Sequence, residues 1–291
     1  RIEQDRFATP VFRLFHTELE AVYEEKNRGL DNDNIKAYEM LLKGIFPTHP
    51  YGLQTTIGTI EHLKNPSIEA IKKYYNTYYN PVNMALIMSG DFNPDEVIKL
   101  VDSYLGSWKN KEGAKTNTAL LVPDSLEHLA FQPSDQVNYV TGPQQEKVYM
   151  AFRTKGAGSD DDLLLYMTDM ILANSQAGML DINLNKAQKV QYASCSPLTM
   201  KEYSMHYFIA LPKEGQTLSD CKALVLGELE KLKRGEFDES IMQAIVDNMR
   251  LDRAKAFDDN NSRASNLMDA FTNEYSWEKF VTMPDRLEKL T

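Results

Sequence analysis

One stretch holds most of the information about the architecture: residues 74–97, Tyr74-Tyr-Asn-Thr-Tyr-Tyr-Asn-Pro-Val-Asn-Met-Ala-Leu-Ile-Met-Ser-Gly-Asp-Phe-Asn-Pro-Asp-Glu-Val97. Asn80-Pro81 ends a helical pattern, because the residue before a proline disfavours helical backbone. The apolar run that follows is strand-sized, and Asn93-Pro94 has the cap and first-turn proline of a new helix. The stretch predicts a helix over 67–79, a buried strand over 84–89 and a helix from 94 to Leu105, stopped by Gly106.

Outward from this stretch, both ends of the chain continue the mixture of helices and strands. The expected elements are helices Val11–Asn27 and Asn34–Lys43, strand Val148–Phe152, helix Asp160–Asn174, strands Ala193–Thr199 and Tyr203–Leu211, and helices Leu218–Arg234 and Asp238–Phe257. Residues 111–146 are more polar, with strand-like pieces at Leu120–Val122 and Val137–Val140. We expect an α+β protein with a first region at 1–110, a linker at 111–146 and a second region at 147–291.

Composition excludes several classes of function. The 291 residues carry 32 Lys and Arg against 42 Asp and Glu, so the net charge is −10. An acidic chain is poorly suited to bind nucleic acid or an anionic membrane surface. No apolar run reaches the roughly 18–20 residues of a membrane span. Cys195 and Cys221 are the only cysteines, too few for a disulfide scaffold or a Cys-rich zinc site.

The opening helix presents a chemical puzzle. At about 100° per residue, Glu18 and Glu25 fall within the apolar stripe formed by Val11, Leu14, Phe15 and Val22. We therefore expect both carboxylates to point towards a core, unless the helix is only half covered. A buried carboxylate needs a cation beside it, and an Arg, a Lys or a metal ion would each serve.

The histidines form no metal-binding or catalytic motif in this chain. His16 lies beside Glu20 on the polar face of the opening helix, and His49 reads as a turn residue in a Pro-flanked loop. The other three, at 62, 128 and 206, are isolated, and neither H-E-x-x-H nor H-x-x-E-H occurs. Cys195 reads as a buried structural thiol in a strand.

Several segments together resemble the insulinase/pitrilysin family of zinc peptidases. The segment Glu18-Leu-Glu-Ala-Val-Tyr-Glu-Glu25 is similar to the family's second metal-binding helix. His49-Pro-Tyr-Gly52 and the passage 74–97 resemble its helix, Tyr-x-Pro-x-Asn-Met and strand succession. Gly235-Glu-Phe-Asp-Glu239 is similar to a junction in its second domain. The order and spacing of the pieces cover nearly the whole chain.

The resemblance implies a fold, a metal and a reaction. It implies two pseudo-equivalent α+β domains, each an antiparallel-rich sheet packed with helices. Glu25 would be the third zinc ligand, and Glu18 a carboxylate that orients the site without touching the metal. The zinc would activate a water for hydrolysis of peptides or unfolded polypeptides. A non-catalytic scaffold or partner subunit of the same fold is the alternative.

The chain departs from the family in lacking the H-x-x-E-H helix. We expect the chain to be a fragment whose first domain is truncated, with the missing ligands upstream or on a separate active subunit. By itself it would neither bind stoichiometric zinc nor hydrolyse peptides. The second region, without histidine in 160–174, would help to enclose substrate. No targeting segment is recognisable, so a bacterial cytoplasm and a periplasm are both compatible.

Overall fold

The computed structural model describes residues 1–116 and 137–290. Helices dominate this part of the chain, with one three-stranded sheet in the second region. The helices are α1 (Ile2–Ala8), α2 (Phe15–Leu30), α3 (Asp33–Ile45), α4 (Pro50–Leu53), α5 (Ile60–Lys64), α6 (Ile68–Tyr78), α7 (Pro94–Leu105), α8 (Asp161–Leu172), α9 (Leu218–Lys233), α10 (Ser240–Asp258), α11 (Asn260–Thr272), α12 (Trp277–Val281) and α13 (Met283–Glu288). A 3-10 turn covers Pro81–Asn83 and a π-helical turn covers Asp181–Lys186. No helix in the described ranges is both long and apolar enough to cross a membrane.

The sheet is antiparallel, with strands β1 (Val148–Lys155), β2 (Tyr192–Leu198) and β3 (Tyr203–Leu211) in the order β1-β3-β2. The register places Phe152 opposite His206 and Cys195 opposite Phe208. Successive side chains of β3 therefore point to opposite faces of the sheet. This alternation divides the buried residues into two cores.

The larger core lies between one face of the sheet and the helices of the second region. Phe208 and Ala210 of β3 are fully buried there against α8, α9, α10 and α13. The smaller core lies on the other face, where Met205 packs against Leu42, Ile45 and Phe46 at the end of α3. The sheet is therefore covered on both faces, and one cover comes from the first region.

Local signals set the helix starts that the sequence predicted. The side chains of Ser67 and Asn93 cap α6 and α7 by accepting backbone N–H bonds, and Gly106 ends α7. The side chain of Asn32 caps α3 in the same way. The two strands flanking residues 199–202 pair antiparallel, as their alternating pattern predicted. The α+β class is confirmed.

Several expected elements are wrong. Residues 84–89 form no ladder, since no described residue pairs with them, and the side chain of Leu86 is 57% exposed. The first region accordingly shows no sheet within its described residues. Val137–Val140 is not a strand, while 120–122 lies outside the described residues. The opening helix begins at Phe15 rather than at residue 11, because Leu14 adopts a left-handed backbone with φ 54°.

Candidate functional site

Glu18 and Glu25 both lie on α2, but the structure exposes them. The predicted burial of the two carboxylates is wrong for the described chain. The helix packs against α3 and α5 through a face that ends at Lys26, which is buried. Glu25 precedes Lys26 by one residue and is therefore turned about 100° away from that face.

A lysine, rather than a glutamate, is the buried charge of this helix. Lys26 is 8% exposed, and its Nζ lies 2.6 Å from Oε1 of Glu39 on α3. The wheel of the sequence contained this signal, because Lys26 follows Val22 by four residues and shares its side of the helix. The pair joins α2 to α3, and Lys26 forms its ion pair with Glu39 rather than with Glu25.

Within the described residues, neither glutamate has an ion-pair partner. Nor does Glu25 belong to any described group of three metal-ligating side chains. A single carboxylate is not a zinc site, because zinc requires four ligands and favours His or Cys among them. The side chains that surround Glu25 here therefore do not fit a zinc ion by themselves.

The His-Pro-Tyr-Gly segment connects the two regions. Nδ1 of His49 accepts the Tyr51 backbone N–H at 3.2 Å and so caps α4. Its Nε2 lies 3.0 Å from Oε2 of Glu202, which is buried with it. Since Nδ1 is the acceptor, the hydrogen-bond network assigns the proton to Nε2, which donates to Glu202. The predicted turn residue is thus also a link from the first region to the sheet.

Tyr51 and Gly52 complete the role of that segment. The hydroxyl oxygen of Tyr51 accepts the backbone N–H of Glu202 at 3.2 Å. A Cβ at Gly52 would lie 2.2 Å from the carbonyl oxygen of Phe46, so only glycine allows this close approach of the two backbones. The motif therefore docks α3 and α4 onto the sheet, and in this structure its contacts are structural.

The structure also assembles a polar cluster that sequence reasoning missed. Asp169 of α8, Cys195 of β2 and His206 of β3 are all buried on the larger core's side of the sheet. Nε2 of His206 lies 2.8 Å from Oδ1 of Asp169, and one ligand-capable atom of each residue lies within 4.8 Å of the others. The three residues are far apart along the sequence, and only the strand register and the docking of α8 bring them together.

Burial governs the chemistry of this cluster. Desolvation, followed by the charge of Asp169, raises the pKa of the Cys195 thiol far above its usual range. The thiol is therefore protonated in the absence of a metal and is a poor nucleophile. The prediction of a buried thiol within a strand is confirmed.

Comparison with known proteins relates this fold to one family of peptidases. The "Peptidase M16 inactive domain" family model matches residues 67–249. A curated relative, the zinc protease PqqE of Helicobacter pylori, is 25% identical over 259 residues. That alignment covers 88% of this chain and 56% of the relative, so the chain spans about half the length of the relative.

Solved structures show the same fold. A protease from Helicobacter pylori superposes with a TM-score of 0.83 at 21% identity, over 95% of this chain and 66% of the other. An M16-like peptidase described from Alicyclobacillus acidocaldarius gives 0.72 at 16% identity, over 94% and 65%. An M16 inactive domain from Pseudomonas fluorescens gives 0.75 at 12%, over 97% and 66%. The resemblance to the insulinase/pitrilysin peptidases is confirmed, and since the family model covers more than half of the residues, the chain belongs to the M16 peptidase family through its inactive domain.

Proposed function

We propose that this chain is part of a zinc-dependent metalloendopeptidase in which Glu25 is the third zinc ligand. The family membership and the name of the PqqE relative support a zinc peptidase. The assignment of Glu25 rests on the similarity of residues 18–25 to the family's second metal-binding helix, and its exposure on α2 without an ion-pair partner in the described residues is compatible with it. A carboxylate in that state is free to meet ligands that this chain does not contain.

To such a site this chain would contribute only the carboxylates of Glu25 and Glu18 and their positions on α2. The remaining ligands, two histidines, and the general base would come from outside the chain, because the sequence has no H-x-x-E-H. When bound, zinc supplies a Lewis acid that activates water. Glu18, seven residues and nearly two turns before Glu25, would add negative charge on the same side of the helix without contacting the metal.

We infer a non-catalytic, substrate-enclosing role for residues 147–291. The family model that matches residues 67–249, and so includes much of this part of the chain, is described as inactive, and α8 contains no histidine. Among the described residues, β1 and β2 each pair on one side only. An unpaired strand edge can accept an extended peptide by backbone hydrogen bonds, which favours peptides or unfolded polypeptides as substrates.

The test uses the complete protein that contains this chain, with Glu25→Gln and Glu24→Gln as a matched pair. Glu24 is exposed on the same helix, about 100° from Glu25. We expect Glu25→Gln to abolish hydrolysis of an unstructured peptide and to lower the zinc content of the complete protein by one equivalent, and Glu24→Gln to change neither. Unchanged zinc content and activity in Glu25→Gln would remove Glu25 from the site.

The description of the matching family as inactive favours one second function, a non-catalytic partner of the same fold. In that case the complete protein would bind no zinc in the vicinity of Glu25 and would hydrolyse no peptide. It would gain a role only beside a separate active subunit. A peptidase assay of the purified complete protein, together with a comparison of the zinc content of the wild type and of Glu25→Gln, distinguishes the two functions.

A further inference from the structure

We propose that Asp169, Cys195 and His206 form a second, structural metal site of the zinc class, buried in the core of residues 147–291. The site differs from the peptidase site proposed at Glu25, since its residues lie on α8, β2 and β3 rather than on α2. It also replaces the sequence expectation that this chain alone holds no stoichiometric zinc.

The donor set fits zinc. Thiolate, imidazole and carboxylate are the three side chains that proteins use for this ion, and the mixture of one of each disfavours magnesium or calcium, which take oxygen ligands. Tetrahedral bonds of zinc to these donors place neighbouring ligand atoms about 3.3–3.6 Å apart. The 2.8 Å between Nε2 of His206 and Oδ1 of Asp169 is shorter than that value, and one ligand-capable atom of each of the three residues lies within 4.8 Å of the others. Binding of zinc would therefore require the His206 and Asp169 side chains to move slightly apart, with water at the fourth position.

The charge of this part of the core favours a cation. Asp169 is 4% exposed and Asp181, which acts electrostatically on Cys195, is 9% exposed. Within the described residues, no Lys or Arg forms an ion pair with either carboxylate. The partners they do have are His206 for Asp169 and the backbone N–H of Asn174 for Asp181. Buried carboxylates with so little compensation are costly, and a dication would offset them.

Burial does not prevent loading, because binding can be coupled to folding. The ligands of a structural zinc site come together only in the folded chain, so the ion enters as the core forms. The alternative is a purely structural His–Asp hydrogen bond. The same chain contains a buried pair of this simpler kind, His49 with Glu202. That pair belongs to no described group of three metal-ligating residues, whereas His206 and Asp169 do.

The experiment measures metal bound by the 291-residue chain after refolding with zinc and removal of the excess. We expect one equivalent in the wild type, in Cys221→Ala and in Glu25→Gln. Cys221 is the matched control, since it is a buried thiol in the same core but not in the cluster. In Cys195→Ala we expect the affinity for zinc to fall by at least about 100-fold, because loss of a ligand exceeds the effect of losing an outer contact.

Cobalt provides a readout that does not depend on a variant. The folded wild type loaded with Co²⁺ should show the absorption of a cobalt–thiolate bond, and Cys195→Ser should lose it. A folded wild type that binds neither zinc nor cobalt would overturn the proposal, as would full binding by Cys195→Ser. Because Glu25→Gln is expected to leave this binding unchanged, failure here and failure of the peptidase assignment are separable.

Discussion

Replacing Phe46 with alanine should separate the first region from the sheet. Phe46 is fully buried at the end of α3, in the smaller core beside Met205. Its ring meets Tyr51 edge-on at 5.6 Å and lies 6.3 Å from Tyr203, and the Arg153 guanidinium lies over it at 5.4 Å. The single side chain thus contacts α4 and the sheet together.

The magnitude follows from those contacts. A buried Phe→Ala change costs about 3–5 kcal/mol, and we expect about 4 kcal/mol here because the aromatic contacts are lost with the buried area. Domains of ordinary stability unfold with about 5–15 kcal/mol, so the loss is a large fraction of the total. With a urea slope of about 3 kcal/mol per molar, the midpoint should fall by more than about 1 M.

The assay is urea unfolding followed by circular dichroism, with amide exchange in α3 as a local probe. Phe271→Ala is the matched control, since that ring on α11 is 48% exposed and its loss should cost less than about 1 kcal/mol. Faster amide exchange in α3 than in the strands would indicate that the small core opens first. If Phe46→Ala unfolds within about 1 kcal/mol of the wild type, the docking of the first region does not depend on this ring.

Three further outcomes test other parts of the structure. Glu39→Ala leaves the buried Lys26 without its ion-pair partner and should destabilise the chain by about 2–4 kcal/mol. Lys26→Met removes the buried charge itself and should cost less than about 1 kcal/mol. Thermal unfolding of both variants measures the difference. The backbone N–H of Gln144 donates to Asp33 and lowers the pKa of that carboxyl. The contribution of the ionised Asp33 to stability should therefore be present above about pH 4 and disappear as the pH falls through the lowered pKa. In Asp33→Asn, unfolding curves measured at a series of pH values should lack this dependence. Both cysteines are buried, so a thiol reagent should label neither in the folded chain and two per chain in denaturant; rapid native labelling would contradict their placement.

The fold was predictable wherever a local signal determined it. Asn93 followed by Pro94 specifies a helix start through the cap and the fixed φ of proline, and the structure contains that helix start. The alternating strands that flank 199–202 specify one antiparallel pair. Residues 84–89 carry an equally good strand pattern, but a strand exists only with a partner, and pairing is a property of the whole sheet.

The same difference between local signals and long-range packing decides which features of the candidate sites were predictable. A helical wheel shows that Glu18 and Glu25 share a side of α2, but not which side its neighbours cover, and that choice depends on α3 and α5. The cluster of Asp169, Cys195 and His206 was beyond sequence reasoning for a related reason. Its members are 26 and 11 residues apart along the chain and meet only through the sheet register and helix docking.

The exposure of Glu25 is compatible with its proposed role as a zinc ligand of the complete protein. A carboxylate buried against a lysine of its own chain would have its charge compensated and its oxygens occupied, and could not serve as a zinc ligand without breaking that pair. Here the adjacent lysine pairs with Glu39, and neither glutamate has an ion-pair partner among the described residues. Val11 and Leu14, which precede α2, are 70% and 76% exposed. Under the proposed function, the histidines that would bind zinc together with Glu25 come from outside this chain, because its sequence has no H-x-x-E-H.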